Sequence, residues 1–135
     1  MDDIQTSIIP VITEPSDIGQ VANLVAQQSV LQDYQARKSQ QTLRRQRADI
    51  ALFEQFLASA GHTGNGLIYD LAVWDFVTWG LVEAFIRWQL QQGYALGSVN
   101  VRMATVKAYC GLAAKAGYLA GQELALIKSV EGYRA

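Results

Sequence analysis

The chain has 135 residues, half of them hydrophobic, with 12 acidic and 11 basic residues and a formal net charge of −1. This length suffices for one domain with a single core and is too short for two ordinary domains. One cysteine, Cys110, excludes an internal disulfide, and Cys110 with the one histidine, His62, cannot supply the ligands of a usual zinc site. We expect no metal and no other cofactor.

No apolar run approaches the roughly 18 residues that span a membrane, and the opening Met-Asp-Asp-Ile-Gln lacks the positive segment of a signal peptide. The low cysteine content fits a reducing compartment. We therefore expect a soluble, cytoplasmic protein with no membrane partner.

Charge is unevenly distributed along the chain. The first 36 residues hold five acids and no base, whereas residues 37–135 hold all 11 Lys and Arg with the other seven acids, a net charge of +4. Local field matters more than total charge for attracting a partner. The pattern predicts an N-terminal tail and helix over residues 1–37, followed by a mildly basic domain over residues 38–135.

The N-terminal part opens with an extended segment bracketed by Pro10 and Pro15. Ser16 and Asp17 then predict the cap of one helix that runs to about Ala36. Its apolar positions are Ile18, Val21, Val25 and Leu31. We expect this helix to be a tether packed on the domain or a contact with a neighbouring protomer.

Helical periodicity predicts four further helices, which form an all-α, four-helix core with the N-terminal helix added to it. The predicted spans are 40–60 before Gly61, 78–92 before Gly93, 98–116 before Gly117, and 122–130. The run 62–66 is predicted as a loop, and 70–77 stays open between a helical turn and an irregular apolar segment. Trp and Phe side chains lie within apolar runs, so core positions are favoured over stacking on unpaired bases.

The helix over 98–116 carries two adjacent rows of side chains. Val99, Met103, Val106, Cys110 and Ala113 form a core stripe. Beside it, Asn100, Ala104, Lys107 and Gly111 form a line of small and polar residues. This line could approach DNA closely and donate to phosphates or base edges, or it could be an ordinary solvated face.

The helix over 40–60 begins with Arg44, Arg45 and Arg47, although a helix start favours negative charge. An external phosphate, held with the Ser39 or Thr42 hydroxyl, would explain the three bases. The alternative is a charged surface on which Arg45 pairs with Asp49 four residues on.

The stretches 42–53 and 98–109 resemble the first and third helices of the core-binding domain of tyrosine recombinases, the phage-integrase family. There, a Thr-Leu-Arg-x-Tyr-Arg-x-Asp-hydrophobic-x-x-Phe segment precedes a Thr-Ile-Asn-x-Arg-Leu-Ala-x-Leu-Arg segment. The resemblance covers about residues 38–133, with 79–92 similar to the second helix and 124–133 to the last. Gln46 stands where the family usually has Tyr, and Val101 where a basic residue is common.

The resemblance implies a SAM-like DNA-binding domain that clamps double-stranded DNA near the cleavage site in DNA integration and recombination, beside a separate catalytic domain. The residue types themselves predict hydroxyl caps at Thr42 and Ser98, where the two similar stretches begin. The resemblance implies DNA-facing residues by position: Thr42, Arg44, Arg47, Ser98, Asn100, Arg102 and Lys107. No catalytic residue is expected here, because His62 is followed by Thr63-Gly64-Asn65 and the family's His-x-x-Arg is absent.

A second hypothesis is a helical protein-interaction module with no nucleic-acid role, which the net acidity and the apolar N-terminal helix favour. One contiguous positive face with Arg44, Arg47, Asn100 and Lys107 would favour DNA, and scattered bases would favour protein contact. A small enzyme has no carboxylate pair, nucleophile with a base, or metal cluster to support it.

Overall fold

The computed structural model describes residues 17–134, and this part of the chain is all-α, as predicted. The helices are α1 (Ile18–Gln28), α2 (Val30–Ala36), α3 (Gln40–Ser59), α4 (Trp79–Gln91), α5 (Leu96–Lys115) and α6 (Gly121–Ser129). A 3₁₀ turn, Leu71–Trp74, resolves the ambiguous segment before α4, and Asp70 caps it by accepting the Ala72 N–H at 3.0 Å. The segment between Pro10 and Pro15 lies outside the described residues.

The single N-terminal helix predicted up to Ala36 is wrong, because the structure has two helices separated at Ser29. The Ser29 hydroxyl donates to the Asp33 carboxylate at 3.0 Å, a local side-chain bond of the kind that competes with a continuous helix. α1 buries none of its residues, whereas α2 buries Leu31 in the core. The division at residue 37 stays a prediction.

Helix ends follow the prediction more closely than helix starts. Gly61, Gly93 and Gly117 follow α3, α4 and α5 with φ of 92°, 90° and 91°, the left-handed conformation that glycine adopts without strain.

The predicted hydroxyl caps at Thr42 and Ser98 are wrong. The cap of α3 is Ser39, in extended conformation, whose side chain accepts the Thr42 N–H at 3.1 Å. α5 begins after Ala95 without a side-chain cap, so Ser98 lies inside the first turn. Both predicted residues already have helical backbone, and a capping residue must stand one step outside the helix.

Aromatic rings form the centre of the core. The ring of Phe53 lies 5.0 Å from that of Phe85 and 5.9 Å from that of Trp74, and Trp74 lies 5.7 Å from Tyr109. All four are fully buried, which agrees with the core interpretation of these apolar runs. Trp79 is an exception at 46% exposed.

A buried polar network fixes α3 against α5. The Tyr109 hydroxyl donates to the Gln46 side chain at 3.2 Å and accepts from Gln35 of α2 at 3.2 Å. Four residues earlier on α5, Thr105 donates to Asp49 at 2.7 Å. Because the contact moves forward along α3 as it moves back along α5, the two helices are antiparallel.

Cys110 occupies the core stripe of α5 and is completely buried. Burial in apolar surroundings raises the pKa of its thiol to about 12. Cys110 therefore behaves as a small core residue, as its position in the pattern predicts.

Removal of the Tyr109 hydroxyl tests the buried network. We expect Tyr109→Phe to lower the free energy of unfolding by about 1–3 kcal/mol, since the buried Gln46 oxygen loses its donor. Tyr69→Phe, at a side chain that is 76% exposed, is the control and should change it by less than about 0.5 kcal/mol. Urea unfolding measures both, and equal effects would contradict a structural role for the Tyr109 hydroxyl.

Candidate nucleic-acid interface

The predicted residues on α3 lie at its first two turns. Thr42 is half-buried, and its hydroxyl accepts from the Ser39 hydroxyl at 3.0 Å. Arg44 and Arg47 are exposed and have no hydrogen-bond or ion-pair partner within residues 17–134. Arg45 lies 3.7 Å from Asp49, so the pairing considered as the alternative is present. Arg44 and Arg47 remain available to an external anion.

The predicted residues on one flank of α5 bind the end of the described chain. Asn100 donates to the Tyr133 carbonyl at 2.7 Å and accepts the Tyr133 N–H at 3.0 Å. Lys107 donates to the carbonyls of Lys128 and Val130. The two polar residues of the line predicted to contact DNA, Asn100 and Lys107, therefore hold residues 128–133 against α5.

Gly132 closes the contact between this segment and α5. A Cβ added at Gly132 would meet the Asn100 oxygen at 2.7 Å and the Met103 methyl at 3.2 Å. The absence of a side chain at position 132 is thus what lets the backbone lie directly on α5.

Arg102 and Ser98 lie elsewhere on α5. The Arg102 guanidinium stands 4.4 Å from the centre of the Tyr94 ring and donates to the buried Gln89 side chain at 3.2 Å. Ser98 is exposed in the first turn. Since successive residues turn by about 100°, Lys107 and Thr105 point to opposite flanks, toward α6 and α3 respectively. Asn100 and Arg102 are likewise two residues apart and contact different parts of the chain, Tyr133 and Gln89. The seven predicted residues therefore do not form one face.

A groove of about 550 Å³ lies between the first two helices and the C-terminal half of α5. Its charged lining residues are Arg37, Lys38 and Lys115 with a single acid, Asp33. The Lys38 ammonium stands 4.8 Å from the centre of the Tyr34 ring. This cation–π contact holds the Lys38 side chain along the wall of the groove.

A second groove, of about 500 Å³, lies between α5 and α6 and has no acidic lining residue. Lys107, Lys115 and Lys128 line it beside the small residue Gly111. Burial lowers the pKa of Lys107, and the field of Glu131 opposes this shift.

The two grooves share Leu112 and Lys115, so their basic residues form one continuous surface. We name it the basic band, and it consists of Arg37, Lys38, Lys107, Lys115 and Lys128. Four of the five were not among the predicted site residues. Lys107 and Lys115 are about two turns apart on one helix and line one groove, and this spacing could have been found from the sequence. The approach of Arg37 and Lys38 to Lys115 depends on tertiary packing.

Comparison with profiles of known protein families, with curated proteins and with solved structures finds no match to this chain. Within residues 17–134, no group of three His, Cys, Asp or Glu side chains is placed to hold a metal ion. Over the same range, no helix has the length and apolar character required to cross a membrane.

Asn100→Ala tests whether α5 holds the end of the described chain. We expect the Tyr133 amide to lose its protection from hydrogen exchange, because Asn100 is its acceptor. Ser98→Ala, on the same helix but without a contact to Tyr133, is the control and should leave that amide unchanged. Exchange of the Tyr133 amide at the wild-type rate in Asn100→Ala would contradict the docking of this segment.

Proposed function

We propose that this chain binds double-stranded DNA through the basic band together with Arg44 and Arg47. The observation that carries the proposal is the pair of adjoining grooves, lined by five Lys and Arg and one acid. Lys and Arg along a groove neutralise successive phosphates, which is the main sequence-independent source of affinity for DNA.

The start of α3 supports the same proposal. α3 is a 20-residue helix whose N-terminus carries partial positive charge, and exposed Arg44 and Arg47 add two full charges there. Residues 37–47 contain five bases and no acid. A phosphate near Ser39 would meet the helix terminus and these side chains together.

The resemblance to the tyrosine-recombinase core-binding domain also supports DNA as the partner. α3, α4, α5 and α6 follow one another in the order of that domain's four helices, and α3 and α5 include the two similar stretches. On this proposal the chain clamps DNA in site-specific recombination or integration without supplying the cleavage chemistry. The proposed contacts are to phosphates, because the Asn100 amide is already bonded on both of its polar atoms.

A fluorescence-anisotropy titration with a short duplex tests the proposal. Binding should have a Kd on the order of 10⁻⁴ to 10⁻⁶ M at physiological salt and strengthen as salt is lowered. Lys38→Ala and Lys115→Ala should each reduce the magnitude of the salt slope by about 0.9, one lost phosphate contact apiece.

Arg87→Ala is the matched control, since Arg87 is exposed on α4 and lines neither basic groove. Its loss removes one positive charge but should leave the salt slope unchanged. Equal slopes for Arg87→Ala and Lys115→Ala, or no binding at all at low salt, would contradict DNA binding through the basic band.

A protein-interaction module is the second candidate, and α1 favours it. α1 has no charged residue and buries none of its side chains, with Ile18 64% and Leu24 47% exposed. Such an apolar, charge-free helix fits contact with a neighbouring protomer or with another protein. The same DNA titration separates the candidates, because a module of this kind alone would show no salt-dependent DNA binding.

A further inference from the structure

An acidic cleft of about 490 Å³ lies between α4 and the end of the described chain. It adjoins the basic band at Val130, whose carbonyl accepts from Lys107. It is lined by Trp79, Glu83, Leu126, Glu131 and Tyr133, among others, and by no Lys or Arg. Its charge is therefore opposite to that of the two basic grooves.

Two aromatic rings are open to solvent in this cleft. Trp79 is 46% exposed and Tyr133 is 43% exposed, whereas Trp74 is fully buried in the core. Trp79 and Glu83 are four residues apart on α4, so they share one face of that helix. An exposed indole beside a carboxylate is a combination that attracts an organic cation.

The two carboxylates of the cleft, Glu83 and Glu131, are able to pair with a cation from outside. Glu83 has no hydrogen-bond or ion-pair partner within the part of the chain that the structure describes. Glu131 acts on Lys107 through its field, and the Lys107 ammonium itself donates to backbone carbonyls. Neither carboxylate is neutralised by a direct contact.

The walls of the cleft are fixed before any ligand arrives. The Glu123 carboxylate accepts the backbone N–H of Trp79 at 2.9 Å, which holds the start of α4 against α6. Asn100 holds Tyr133 through both its N–H and its carbonyl. A preformed cleft costs little ordering entropy on binding.

We propose that this cleft binds an arginine side chain presented by an extended basic segment of another protein. The planar guanidinium stacks on the Trp79 or Tyr133 ring and pairs with the Glu83 carboxylate at the same time. The carboxylates of this cleft repel phosphate, so the cleft is not part of the proposed DNA-binding surface.

NMR with two small probes tests this proposal. The first probe is an acetylated Gly-Gly-Arg-Gly-Gly amide, and the second has Gln in place of Arg. At low salt the Arg peptide should shift the Trp79 indole N–H signal in a saturable way, with a Kd on the order of 1 mM, and the Gln peptide should not. The signal is identified by its loss in Trp79→Leu.

Glu83→Gln should raise the Kd for the Arg peptide about three- to fivefold, the loss of one partly exposed charge pair. Asp75→Asn, an equal charge change at an exposed site outside the cleft, should change it less than twofold. The same spectra report whether each variant is folded. Equal binding of the two peptides, equal effects of the two variants, or a shift that never saturates would overturn the proposal.

Discussion

The packing around Tyr109 is the constraint on which the rest of the structure depends. Its ring stacks on Trp74 and meets Tyr34 edge-on at 5.7 Å, while its hydroxyl joins Gln35 to Gln46. One side chain of α5 thus positions α2, α3 and the 3₁₀ turn together. The cost of leaving any of these buried polar groups unpaired makes alternative arrangements unfavourable.

The surface charges follow from this packing. Because α2 is fixed on α5, Arg37 and Lys38 lie along the same groove as Lys115. Earlier on the same helix, Lys107 donates to the carbonyls of Lys128 and Val130 at the end of α6, which brings Lys128 into the adjoining groove. The acids Glu83 and Glu131 fall in a separate cleft, so a chain with a net charge of −1 presents a continuous positive surface.

Local features of the fold could be predicted from the sequence. Apolar periodicity and following glycines fix where α3, α4 and α5 end, since both act within one turn of the chain. The break at Ser29 was missed because apolar residues continue on both sides of it. The cap at Ser39 was missed because Thr42, three residues on, is also a hydroxyl residue that can cap a helix. A periodic pattern does not show which of them is used.

The candidate site was less predictable, and the reason is tertiary. Asn100 and Lys107 have the composition of DNA-contacting residues, yet their partners lie between 21 and 33 positions away in the chain. Lys115 lies six residues beyond the similar stretch 98–109, and folding places it where two grooves meet. Sequence similarity can suggest DNA as a partner, but the surface that meets it depends on how the helices pack.

The most direct test of the central claim is an NMR titration of the labelled chain with a short DNA duplex, followed at backbone amides. The account predicts saturable, salt-sensitive shifts confined to residues 37–47, 107–115 and 128. The amide signals of residues 79–83, in the acidic cleft, should not shift. Shifts spread evenly over the surface, or confined to residues 79–83 and α1, would contradict a DNA-binding role for the basic band.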